Sequence, residues 1–395
     1  MKILHFSDIH YTGAFDQDRV IDSFCEDIAR LHQENPFNAC VFTGDLANKG
    51  GTGPEMIGKI KVNVIDKIRS RIGIDIPIII CPGNHDVDLT ARSKIYGPIF
   101  EQAVKPEHAN PLVESSNDEE SRSIWAHLSG YMEMAKYIDP SAYSSNQLFY
   151  TKIFECNGRK VGFASFNSAW NSKGGGNSDY GKLLVGERQL DLALTELTSC
   201  ELRLAILHHS DNWLVPSEKP LIQRALSTNF HGVFFGHNHE TNASSVVGNI
   251  GAAFYSNTGC VYQSRDYFNG YSIVDYDFSE KMWQVTAREY YPQRNEFDIA
   301  PRFSKNGVSQ FCVGAVGHSS AIIISSSVIN AVQSHANCKL LSYSASEIAP
   351  KQVGAIFVEP PLAEQSENIY VANENAGSEK TNLIGINAFR YTQVP

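Results

Sequence analysis

Short apolar runs recur along residues 1–240, and each is followed at once by a polar segment rich in aspartate, asparagine, glycine or histidine. The runs read KILHF, ACVF, IPIII, RLAIL and GVFF. Continuous apolar runs of this length are typical of strands buried on both faces, as in a parallel sheet. They predict five strands whose carboxyl ends lead into polar loops.

The segments between these runs have helical periodicity. In RVIDSFCEDIARLHQ, four apolar residues fall on one face: Val20, Phe24, Ile28 and Leu31. KIKVNVIDKIRSRI and GERQLDLALTEL predict two more amphipathic helices. Further along, AAFYSNTG, YSIVDYDF and WQVTAREY predict antiparallel strands that close a second sheet. The expected fold is therefore α/β, a two-sheet αββα sandwich with helices outside.

This rhythm divides the chain. We expect one domain over residues 1–300, a helix-rich insertion over 88–146 that contains SKIYGPIFEQAV and SIWAHLSGYMEMAKYI, and a small C-terminal extension over 301–395. Two roles stay open for the insertion: a cap that limits substrate size, or a peripheral elaboration. The segment NSKGGGNSDYGKL predicts a mobile loop near the rim of the site that the polar segments after the strands would form. The sequence assigns no role to the extension.

Potential metal ligands follow all five apolar runs, in FSDIH, TGDLAN, PGNHD, LHH and GHNH. They are Asp8, His10, Asp45, Asn84, His85, either His208 or His209, His237 and His239. Two neighbouring cations repel, so a carboxylate that bridges them and neutral nitrogen ligands suit such a centre. One such motif alone is usually a solvated turn, but five in one chain indicate a two-metal site.

The five motifs, in this order, resemble those of the calcineurin-like metallophosphoesterases, and the resemblance covers roughly residues 1–300. It implies that one metal is bound by Asp8, His10, Asp45 and His239. It implies that the other is bound by Asp45, Asn84, His208 and His237. The mixed nitrogen and oxygen set suits two divalent transition-metal ions, with manganese as the first choice and iron, nickel or zinc as alternatives.

The resemblance also implies a chemistry for the GNHD motif. His85 is expected to be catalytic, either stabilising the phosphoryl group or protonating the leaving oxygen, and Asp86 is expected to orient its imidazole. The nucleophile is then a hydroxide held between the metals. LHHS departs from the family, which often has proline where Ser210 stands, so His209 stays open as an alternative ligand to His208. Asn167 in SFNSAWN is a second departure.

Three functions are compatible with these motifs. FSDIH has isoleucine where recombination nucleases of the family usually have tryptophan, which favours a phosphodiesterase acting on a small diester. The first alternative is a DNA or RNA nuclease with the same metals, and the second is a nonenzymatic scaffold that retains the fold. The expected partner is a phosphoester substrate, for which a nucleotide and nucleic acid are candidates. The C-terminal extension is a candidate site for a protein partner.

Composition narrows the setting. The net charge is −10, and because the last 95 residues hold equal numbers of basic and acidic side chains, the acidic excess lies in residues 1–300. Such a surface argues against a protein that coats long nucleic acid. Eight scattered cysteines without a CxxC pair, and no long apolar leader, predict reduced thiols in the cytoplasm and no membrane association.

Overall fold

The computed structural model describes residues 1–92, 105–118, 124–248, 251–262, 268–304 and 306–313, and two short strands, Tyr370–Val371 and Thr381–Asn382. The chain divides into two compact units, Met1–His318 and Ser319–Pro395. In the second unit, the two short strands pair antiparallel. The SKIYGPIFEQAV segment lies outside the described residues. Most of the C-terminal extension does too, so a protein partner for the extension stays a prediction.

Among the described residues of the first unit, thirteen strands form two sheets. In chain order they are β1 (Lys2–Phe6), β2 (Ala39–Phe42), β3 (Ile78–Ile80), β4 (Phe149–Cys156), β5 (Arg159–Phe166), β6 (Leu202–Ile206), β7 (Gly232–Phe235), β8 (Asn242–Val247), β9 (Ala252–Asn257), β10 (Gly270–Asp277), β11 (Met282–Tyr291), β12 (Glu296–Ile299) and β13 (Val308–Cys312). The first sheet has the order β12-β11-β10-β1-β2-β3, with β13 also paired to β11. The second has the order β4-β5-β6-β7-β9-β8.

All five predicted strands form as parallel members of these sheets. β1, β2 and β3 are parallel neighbours in the first sheet, and β6 and β7 are parallel neighbours in the second. Nearly every residue of the five is buried, as continuous apolar runs require. Their carboxyl ends carry the five polar motifs, which the fold therefore gathers at one edge.

The three predicted amphipathic helices form, and the first two begin earlier in the chain than predicted. The first runs over Phe15–Glu34, and Val20, Phe24 and Ile28 are buried in the core as predicted. The second is a continuous helical stretch made of Pro54–Ile60, a π-helical part Lys61–Asp66, and Lys67–Ile72. The third is Glu187–Glu196, and Ser129–Ile138 lies within the predicted SIWAHLSGYMEMAKYI segment. Two further helices, Pro106–Glu114 and Lys219–Asn229, had not been predicted individually.

The sheet that we predicted for two of the strands was wrong. YSIVDYDF and WQVTAREY form β10 and β11, which belong to the first sheet rather than the second, and β10 pairs antiparallel with β1. β1 is buried, so both of its edges need hydrogen-bonding partners, and β2 supplies only one of them. The alternation of side chains identifies a strand without identifying the edge that it pairs with. AAFYSN forms β9, parallel to β7 and antiparallel to β8.

Other features bear on the earlier expectations. β13 lies beyond residue 300 and pairs with β11, so the first sheet continues past the predicted domain boundary. The seven described cysteines are free, and six of them are buried. None of the described helices has both the length and the apolar character that crossing a membrane requires.

Candidate metal centre

The loops that carry the predicted ligands have an unusual backbone. Five predicted ligands have positive φ angles: Asp8 (55°), His10 (48°), Asp45 (58°), His237 (68°) and His239 (54°). The left-handed region costs residues with a Cβ atom roughly 1–2 kcal/mol each. The surrounding structure must hold such conformations, and they cluster at functional sites. Here Asp8 N–H donates to Gly44 O and His10 N–H to Asp45 O, both at 2.9 Å.

The first donor group brings Asp8, His10 and His239 together around Asp45. Nε2 of His239 lies 3.2 Å from Oδ1 of Asp8 and 3.3 Å from Nε2 of His10. Nε2 of His10 lies 3.6 Å from Oδ1 of Asp8 and 4.0 Å from Oδ2 of Asp45. Donor atoms this close, on residues up to 231 positions apart, can face a single cation.

The second donor group centres on Nε2 of His208. This atom lies 3.2 Å from Oδ2 of Asp45, 3.2 Å from Oδ1 of Asn84 and 3.1 Å from Nδ1 of His237. His208, Asp45 and Asn84 are all buried. The four residues are those that the resemblance assigns to the second metal.

Asp45 is common to both groups. Its Oδ1 accepts the backbone N–H of His85 at 2.7 Å, whereas Oδ2 is buried with no hydrogen-bond partner among the described residues. A buried carboxylate oxygen without a donor is costly unless something cationic satisfies it. The turn before Asn84 packs closely against this carboxylate: a Cβ atom on Gly83 would lie 2.1 Å from Oδ1 of Asp45, so only glycine fits there. Asp45 thus has the geometry of a bridging ligand.

The two histidines of LHHS differ in their contacts. Nδ1 of His208 lies 2.6 Å from the carbonyl oxygen of Thr43, an acceptor, so the neutral ring carries its proton on Nδ1 and the lone pair of Nε2 faces the site. His209 instead contacts Ser168, whose Oγ lies 3.0 Å from Nδ1 and accepts the backbone N–H of His209. Its Nε2 lies 3.3 Å from Oδ1 of Asn84. These contacts favour His208 as the ligand.

Charge interactions within the site are strong. Burial would raise the pKa of the Asp8 carboxyl, but the hydrogen bond with His239 and the charge of His208 lower it to about 2. Burial opposes charge on Asp45 too, yet His208 holds its pKa well below the usual range. Burial would lower the pKa of His208, and Asp45 raises it to about 9. An environment that favours cationic imidazole in this way also attracts divalent cations.

Asp86 does not lie where we expected. Its carboxylate is fully buried and accepts three backbone N–H groups: from Ala47 at 2.8 Å, and from Asp45 and Gly83 at 2.9 Å each. The expected contact with the imidazole of His85 is absent from the hydrogen bonds of the described residues. Asp86 therefore joins the second and third motif loops, and its effect on the site is through the backbone of Asp45.

The backbone N–H of Lys49 orients His85 instead. It donates to Nδ1 of His85 at 3.1 Å, so the neutral ring carries its proton on Nε2. One ring nitrogen of His85 lies within 4.8 Å of donor atoms on His10 and Asp45. The sequence holds no local signal for this contact because Lys49 and His85 belong to different loops.

The glycine-rich segment after β5 is held by hydrogen bonds within itself and lies beside the site, although we expected a mobile loop. Asp179 is buried, and its carboxylate accepts the hydroxyl of Ser172 and the backbone N–H groups of Lys173 and Gly175 at 2.6–2.8 Å. The nearest atom to a Cβ built on Gly175 is Nδ2 of Asn84, at 2.7 Å. This loop therefore lies against the amide of a predicted ligand.

The comparisons with known proteins follow this geometry. The family model for calcineurin-like phosphoesterases matches residues 1–241. Among solved structures, a dimetal phosphatase from Danio rerio is 11% identical, with 76% of this chain and 98% of that chain covered and a TM-score of 0.44. A Vps29 mutant from Entamoeba histolytica is 11% identical, with 79% and 99% covered and a TM-score of 0.34.

A third solved structure is an NAD nucleotidase from Haemophilus influenzae, 10% identical, with 76% of this chain and 53% of that chain covered and a TM-score of 0.41. At these identities and TM-scores, none of the three carries an argument about activity. The comparison with curated proteins finds no match.

Proposed function

Because the chain belongs to the calcineurin-like phosphoesterase family, we propose that it is a metal-dependent phosphodiesterase with two divalent ions in the centre described above. The observation that carries the proposal is Oδ2 of Asp45, a buried oxygen with no hydrogen-bond partner in the part of the chain that the structure describes. It lies 3.2 Å from Nε2 of His208 and 4.0 Å from Nε2 of His10, so it faces nitrogens of both donor groups. A carboxylate in this position fits a bridge between two cations.

The donor set fits such ions. It contains two carboxylates, one amide oxygen and four imidazoles, a combination that suits manganese, iron, nickel or zinc better than calcium, and we take manganese as the first choice. When bound, the metal pair supplies Lewis acidity and activates water for attack on phosphorus. The ligands are Asp8, His10, Asp45, Asn84, His208, His237 and His239.

The chain's own residues account for the other requirements of the reaction. The proton on Nε2 of His85, fixed by the Lys49 N–H on the other nitrogen, can be donated in a hydrogen bond to a phosphoryl or leaving oxygen. Asp86 holds Asp45 through its backbone N–H, and Ser168 holds His209 beside Asn84. The substrate's negative charge is matched by the cationic centre and by this donor.

The proposal can be tested with purified, manganese-loaded protein offered bis(4-nitrophenyl) phosphate, 4-nitrophenyl phosphate, a cyclic nucleotide and labelled DNA. We expect hydrolysis of the diesters with a preference over the monoester. Efficient digestion of labelled DNA would instead support the nuclease alternative. Absence of hydrolysis with both metals bound would support the scaffold.

Asp45→Asn provides the matching residue test. The change removes charge from the bridging position, so metal content and turnover should fall together, turnover by about 10²-fold or more. Asp22→Asn serves as the control because Asp22 is half-exposed and pairs with Lys67 on the helical surface. Full metal occupancy with unchanged hydrolysis in Asp45→Asn would refute the assignment.

A further inference from the structure

Two aromatic side chains lie beside the second donor group. The ring of Trp213 lies 4.1 Å from that of His237 and 5.8 Å from that of His209, measured between centroids. The ring of Tyr180 lies 5.2 Å from Trp213, and Tyr180 is 58% exposed. We call Tyr180 and Trp213 the aromatic pair. Its inner member touches a predicted metal ligand and its outer member faces solvent.

The aromatic pair is held in place by the same loop that reaches Asn84. Gly175 packs against the Asn84 amide, and Tyr180 follows five residues later in that loop. At the end of the loop, Leu183 N–H donates to Trp213 O at 3.0 Å and Val215 N–H donates to Leu183 O at 2.9 Å. The loop is thus anchored at two points, both next to residues of the second donor group.

We infer that the aromatic pair is a stacking subsite for the planar base of a nucleotide whose phosphate is held at the metal centre. This inference rests on the proposed function. An exposed aromatic ring offers a flat apolar face on which a planar base can stack. Every base has such a planar face, so the subsite would accept different bases. The chain carries a net charge of −10, so its charge outside the metal centre does not favour a nucleotide, and stacking would add affinity to that of the phosphate at the metals.

The test compares two phosphate monoesters that differ in the base, AMP and ribose 5-phosphate, as inhibitors of bis(4-nitrophenyl) phosphate hydrolysis. Stacking on one aromatic ring should make AMP bind about tenfold more tightly than ribose 5-phosphate. Tyr180→Ala should bring that ratio close to one, and Tyr180→Phe should restore it. Tyr137→Ala is the control because Tyr137, also partly exposed at 38%, lies on the helix Ser129–Ile138 and should leave the ratio unchanged.

Fluorescence gives a readout that does not depend on turnover. Of the four tryptophans, Trp125, Trp170 and Trp283 are buried, and Trp213 is the one with appreciable exposure. AMP should therefore quench the emission that Trp213 contributes, whereas ribose 5-phosphate should not, and the effect should vanish in Trp213→Phe. Repeating the titration with a ten-residue oligoadenylate distinguishes a mononucleotide from a nucleic-acid end as the source of the base.

The outcomes are distinct. Equal inhibition by AMP and ribose 5-phosphate in the wild type would overturn the inference while leaving the proposed function intact, as would a tenfold preference that survives Tyr180→Ala. If neither compound inhibits and no ester is hydrolysed, the proposed function fails and the inference fails with it. A preference that depends on the ring at position 180 supports both.

Discussion

Gly175→Ala should impair the metal centre from a position that provides none of its ligands. Gly175 has φ 93° and ψ −170°, a region that only glycine occupies readily, so alanine costs about 1–3 kcal/mol in backbone strain. Its Cβ would also lie 2.7 Å from Nδ2 of Asn84. Ordinary contact needs about 3.4 Å or more, so the amide must move by more than half an ångström, away from its position beside His208.

Displacing a ligand or its support by this much typically lowers metal affinity 10- to 100-fold. We expect that loss at one of the two metal positions, with a parallel loss of turnover, measured by calorimetric manganese titration and by bis(4-nitrophenyl) phosphate hydrolysis. Gly176→Ala is the matched control. It also has positive φ, 61°, but a Cβ there meets no atom within 4 Å, so it should cost about 1 kcal/mol in stability with metal affinity unchanged. Wild-type affinity in Gly175→Ala, or equal damage from both changes, would refute this reasoning.

Three further predictions concern the motif residues. His208→Ala should remove one metal from the protein, whereas His209→Ala should retain both metals and chiefly change KM. Metal analysis and kinetics of the two variants test this, and the reverse pattern would place the ligand at His209. His85→Ala should keep both metals and lose about 10²- to 10⁴-fold in rate on an alkyl diester but much less on a nitrophenyl ester, whose leaving group needs no proton; loss of metal would contradict this role. Asp86→Ala leaves three backbone N–H groups without their buried acceptor. It should therefore lower the free energy of unfolding, measured by urea denaturation, by about 3–5 kcal/mol. A decrease of less than about 1 kcal/mol would contradict the role of these hydrogen bonds.

The sequence predicted most of the elements and the residue types of the candidate site because both are local properties. Continuous apolar runs predicted five parallel strands, and all five form. Polar residues directly after a strand are held at its carboxyl end, so the motifs had to meet at one edge of the sheets once the strands were parallel. The nature of the side chains, carboxylate, amide and imidazole, then indicated transition metals without any knowledge of distances.

What the sequence left open depends on contacts between distant segments. Which sheet β10 and β11 join is decided by the unpaired edge of β1, more than 260 residues earlier in the chain. Two of the three donors to Asp86, and the donor to the imidazole of His85, lie in a loop about 40 positions away. We had expected Asp86 and His85 to contact each other.

The glycine-rich loop illustrates the same division. Its three consecutive glycines predicted a flexible backbone because glycine has access to more backbone conformations than other residues. In the structure the buried carboxylate of Asp179 fixes that backbone, and the loop packs against Asn84, about 90 residues earlier. The sequence thus specified which side chains can bind metal, whereas tertiary packing decided which of them are held still, because rigidity comes from burial and hydrogen bonds that only the folded chain provides.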